Sequence, residues 1–156
     1  MAGGTENLDG PNTAHSDSAS IHEHQTARLV GQLTDIWEGS DNNTQQDIIT
    51  SCRLIFLDSV AVIINGLFNQ DVRHLEQQFG AIAAGGLWFP GLKKTQSLHG
   101  LISLLSAAAT WNELIEGQAQ AHGRPALHTV PLCISLGISQ QRNLGQILLA
   151  MLHGYE

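Results

Sequence analysis

SCRLIFLDSVAVIINGL, residues 51–67, decides how the rest of the chain is read. Together with Ile48 and Ile49 just before it, the apolar residues Cys52, Ile55, Phe56, Val60, Ile63 and Ile64 recur every three or four positions. That is the period of one buried face of an α-helix. Asn65-Gly66 supplies the stop signal. The longest mostly apolar run, 54–68, is interrupted by Asp58, Ser59 and Asn65, and it is too short and too polar to span a bilayer. An unpaired buried carboxylate is costly, so Asp58 is expected to hydrogen-bond a neighbouring helix end; a catalytic Asp58 is the alternative.

Working outward towards the N-terminus, GSDNNT at 39–44 is a turn cluster that offers an N-cap for this helix. Before it, Thr26 opens another helix whose Leu29, Val30, Leu33, Ile36 and Trp37 share one face. Residues 1–25 are polar and Gly/Ser-rich, with almost nothing to bury, and are expected to be a disordered tail. His15, His22 and His24 lie in that tail and are expected to be solvated rather than metal-bound.

Towards the C-terminus, residues 70–84 read as a more polar helix with Val72, Leu75, Phe79 and Ile82 on its apolar side. GGLWFPG at 85–91 breaks the pattern, and Lys93-Lys94 reads as an exposed turn. A helix then runs from Leu98 to about Leu114, carrying Gly100, Ser103, Ser106, Ala107, Ala108 and Ala109. Such small side chains let helices approach closely, which suits a central, enclosed position. Pro125 is placed as the first-turn proline of a helix with Leu127, Val130, Leu132, Ile134 and Leu136, which Pro131 is expected to kink or break in two. After a turn at 137–142, residues 144–152 form a last apolar helix. Sustained alternation is absent, so the fold class is all-α, with roughly six helices: a polar tail at 1–25 and a helical domain at 26–156.

Composition narrows the function classes. Only 13% of residues are charged, about half the usual share, as in a chain part of whose surface is covered by something else. A net charge of −7 with seven basic residues argues against nucleic acid, whose binding needs a basic footprint. Cys52 and Cys133 sit in apolar helical patterns and read as buried free thiols of a reducing compartment. With neither a secretory signal nor a clear transit peptide, the expectation is a cytoplasmic protein with no membrane partner, a mitochondrial location being left open.

Between two apolar helices, WNELIEGQAQAHGRPALHTVP at 111–131 gathers Glu113, Glu116, His122, Arg124 and His128. A polar, ionisable loop set between packed helices is a normal place for a small-molecule acid site; the alternative is a solvated connection.

The order of elements carries a resemblance. SCRLIFLDSVAVIINGL is followed by SLLSAAATW, then the acidic loop, then GRPALHTVPLCISLGIS, then LGQILLAMLHGYE. This resembles the N-terminal part of the MmgE/PrpD family, which includes 2-methylcitrate dehydratases, cis-aconitate decarboxylases and an iminodisuccinate epimerase. The family pattern is matched at Gly123, Pro125, Ala126, His128, Val130, Pro131 and Gly154-Tyr155-Glu156. Its leucine-aspartate-glutamate-glycine run stands here as Leu114-Ile115-Glu116-Gly117, and the histidine before its proline is Arg124.

The resemblance implies part of a large helical domain, without the α+β lid that follows later in such chains. It implies dehydration, decarboxylation or epimerisation of small polycarboxylic acids by moving a proton next to a carboxylate. It also implies homodimers and no organic cofactor; no metal site is expected. On that reading His122, His128 and Glu116 are the catalytic candidates, with His122 or His128 as base and Glu116 orienting a histidine or serving as acid. Arg124 offers a bidentate fork for a substrate carboxylate, with Glu113 beside it in the substrate-binding set. The apolar last helix, with Ile147, Leu148, Met151 and Leu152, is expected to need a cover, as in a truncated domain, and little activity alone is expected because the chain holds at most half of such a site. The alternative is a non-catalytic or complementing subunit that pairs with a longer homologous chain.

Overall fold

A computed structural model describes residues 27–28, 31–32, 34–35, 38–82, 86–117 and 123–155. The tail with its histidines, the stripe Leu29, Val30, Leu33, Ile36 and Trp37, and His122 lie outside the described residues. The chain divides into two units, 1–40 and 41–156. In the first, every described residue from 27 to 39 is helical.

The second unit holds five helices, and no strand occurs among the described residues. Helix α1 is Asn42–Gly66, α2 Gln70–Ile82, α3 Leu98–Trp111, α4 Pro125–Ser139 and α5 Leu144–His153. The all-α expectation holds for the described residues, with one isolated antiparallel bridge between Leu87 and Gln96. No helix among them is long and apolar enough to cross a membrane.

Each helix start has a local cause. Asp41 caps α1, its carboxylate accepting from the Asn43 and Thr44 backbone at 2.9 Å each. Ser97 caps α3 through the Gly100 N–H at 3.1 Å, and Asn143 with Gln146 forms a full capping box on α5. Such caps satisfy amide groups the helix itself leaves unpaired, each worth typically about 1 kcal/mol.

Packing centres on α3, as its small residues predict. It contacts α1, α2 and α4, and Leu101, Leu104, Leu105, Ala108 and Ala109 on it are fully buried. Fully burying a leucine stabilises by roughly 1.5–3 kcal/mol, so α3 supplies much of the core. Helix α1 meets it at Gly66, where a Cβ would lie 2.0 Å from the Ala108 carbonyl oxygen. Only glycine permits that approach.

Four expectations are corrected. Helix α3 ends at Trp111 rather than near Leu114, because Glu113 takes the left-handed backbone at φ 52. Of the two outcomes expected of Pro131, the break does not occur: α4 runs unbroken from Pro125 to Ser139. The proline removes one N–H, a cost outweighed by burying Val130, Pro131 and Ile134 in the core, while Ser135 donates to the Pro131 carbonyl at 2.7 Å. Asp58 is exposed: it lies on the outer face of α1 with Leu54 and Leu57, both 63% exposed, and bonds no helix end among the described residues. Lys93-Lys94 is more than an exposed turn, because both backbone N–H groups hold the buried Glu76 carboxylate, at 2.5 and 3.0 Å.

Candidate functional site

The loop from Asn112 to Arg124 starts where α3 stops and ends where α4 starts, and 118–122 within it are not described. Its first anchor is the Asn112 side-chain amide, which donates to the Asn65 side chain of α1 at 2.7 Å. The left-handed turn at Glu113 then swings the chain so that Ile115 enters the core, 4% exposed. Ile115 is therefore an apolar core plug within the loop. Glu116 follows it, half-buried, and its Oε2 accepts from the Tyr155 hydroxyl at 3.0 Å.

Tyr155 reaches this point from just beyond α5. Burial, and then the hydrogen bond and negative charge of Glu116, push its phenol well above the ordinary 10.0. It stays protonated at neutral pH and acts as a donor. Thr129, in the first turns of α4, lies against the same hydroxyl. The Tyr155 ring also borders a groove of about 240 Å³ between α1 and α5, together with Ile48, Cys52, Ile55 and Met151.

The other candidates sit nearer solvent. Arg124 precedes α4 without capping it through its side chain. Its Nη2 lies 3.9 Å from Glu113 Oε2, with the two side chains 39% and 77% exposed. That is an ion pair but too long for a hydrogen bond, and it is easily exchanged for another partner. His128 is exposed and has no hydrogen-bond partner among the described residues. The structure thus brings Glu113 to Arg124 and Glu116 to Tyr155, and leaves His128 free on the α4 surface.

Tyr155 is the residue that site reasoning from sequence passed over. It stood in the Gly154-Tyr155-Glu156 match, but 39 residues separate it from Glu116 and no local pattern links them. The cysteines offer little nucleophilic chemistry. Burial raises both thiols above the ordinary 9.0, and Cys52 donates to the Leu148 carbonyl at 3.5 Å. No group of three or more His, Cys, Asp or Glu among the described residues is arranged to hold a metal ion. Comparison with protein-family models, with curated proteins and with solved structures found no match to this chain.

Proposed function

We propose that the loop between α3 and α4 is a polycarboxylate site of the MmgE/PrpD type, belonging to a lyase that moves a proton next to a carboxylate. Its substrates are small di- and tricarboxylic acids. The observation that carries the reading is the loose Arg124–Glu113 pair at 3.9 Å in the same loop as the anchored Glu116. A guanidinium that is held this weakly can trade Glu113 for a substrate carboxylate and bind it through two parallel hydrogen bonds. Glu116 then lies along the same loop to orient a histidine or serve as acid, with His128 or His122 as base. The chain alone turns over slowly, since the chemistry needs groups beyond this helical part.

The test is proton exchange. The full chain is incubated in deuterated buffer with cis-aconitate or 2-methylcitrate, and deuterium is read at each carbon by NMR. Slow exchange that Arg124→Ala abolishes is expected. No exchange at any carbon overturns the reading.

One observation favours a second reading, a subunit that complements a longer homologous chain. Leu132, Leu136, Leu144 and Leu149 on α4 and α5 are 36–56% exposed, and a groove of about 270 Å³ opens between these helices. Co-expression with a longer family member should then give a co-purifying complex. Absence of a complex, with a cooperative melt of the chain alone, overturns this alternative.

A further inference from the structure

The two oxygens of Glu116 have different surroundings. Oε2 takes the Tyr155 hydroxyl at 3.0 Å, while no donor among the described residues reaches Oε1. An ionised carboxylate only accepts, so the shared proton belongs to the phenol. A neutral donor fixes the carboxylate without cancelling its charge, which an arginine or lysine in the same place would do.

Tyr155 is itself fixed. The residue before it, Gly154, packs so tightly on α4 that a Cβ there would lie 2.8 Å from Thr129 Cγ2. Its backbone N–H bonds the Leu152 carbonyl at 3.1 Å, and its ring rests between α1 and α5. Three helices therefore determine where the hydroxyl stands.

We infer that Tyr155 is the positioning residue of the loop site, holding Glu116 by one oxygen and presenting the other towards the substrate. This rests on the polycarboxylate reading above. Tyr155 touches no reacting atom; it acts through Glu116.

The chain contains a single tyrosine, so its phenolate absorbance reports Tyr155 alone. In an alkaline titration of the full chain, Tyr155 ionises well above 10.0. Glu116→Gln removes the neighbouring charge and brings the midpoint down by about one unit or more. An unchanged midpoint in a variant with native circular dichroism overturns the inference, whatever the enzymology. In the deuterium-exchange assay Tyr155→Phe lowers kcat about 10- to 100-fold with KM unchanged; exchange at the wild-type rate overturns the inference as well. A shifted midpoint in a chain that exchanges no proton removes the lyase reading and leaves Tyr155 as the anchor of Glu116.

Discussion

Two inter-helix segments of this molecule use the same residue types to opposite ends. Glu76 on α2 is 3% exposed and holds the segment that leads to α3: it accepts from Arg73 at 2.9 Å and from the Lys93 and Lys94 amides at 2.5 and 3.0 Å. Arg73 also donates to the Gly91 carbonyl at 2.7 Å and lies over the Phe68 ring. Between α3 and α4, Glu113 and Arg124 stand 3.9 Å apart in solvent, and among the described residues Glu116 bonds through one oxygen. In the first, both oxygens of Glu76 are bonded by the fold itself, so the carboxylate is structural. In the second, charge is left in reserve, which is what binding another molecule requires.

The largest break of this contrast comes from removing the saturated carboxylate. Glu76→Ala leaves Arg73 and two backbone donors without their acceptor and should cost about 3–5 kcal/mol, read as a lower urea midpoint. Its pH dependence has a definite sign. Burial raises the Glu76 carboxyl, but Arg73 and the two amides outweigh that and hold it below the ordinary 4.5. The stability it contributes is therefore present above 4.5 and is lost as pH falls through the lower folded value. Glu76→Gln should flatten the acid limb of stability in that window. A limb identical to wild type would place the acid sensitivity elsewhere.

A smaller effect is expected at Gly66, whose site a side chain would share with the Ala108 carbonyl. Gly66→Ala must push α1 from α3 and should cost about 1–3 kcal/mol. It also sharpens the contrast, because Asn65 next door holds Asn112 at the start of the second segment. Amide hydrogen exchange should rise at 112–117 and stay unchanged at 92–94. Equal loosening of both segments would show that they are one cooperative unit.

What the sequence made legible was whatever repeats. The three-and-four spacing from Ile48 to Ile64 marks α1, and the small residues of α3 mark its central place, since burial imposes the same demand turn after turn. What it hid depends on single long-range contacts. Glu76 looks like any polar helix residue, because two of its partners are backbone amides 17 and 18 positions away, and amides leave no trace in side-chain pattern. The early stop of α3 was hidden because glutamate is not a residue expected in a left-handed turn. Pro131 misled for the opposite reason: a strong local signal lost to tertiary packing. The loop itself was visible as a gathering of ionisable groups, but its order, with Ile115 inside and His128 outside, follows from the turn at Glu113.

The smallest effects belong to the unsaturated pair. Arg124→Ala removes a solvent-exposed interaction at 3.9 Å and should change stability by no more than about 0.5 kcal/mol. Glu113→Gly removes the same interaction but also relieves a non-glycine residue of φ 52, a conformation that costs roughly 1–2 kcal/mol. Glycine returns part of that gain as chain entropy, so a net stabilisation of about 0.5 kcal/mol is expected. The two variants thus part company: one nearly silent, the other slightly stabilising, although both break one ion pair. If Arg124→Ala instead destabilised the fold as much as Glu76→Ala, the pair would be holding the loop in place. The guanidinium would then be spent on structure, and the segment would lose its claim to spare charge.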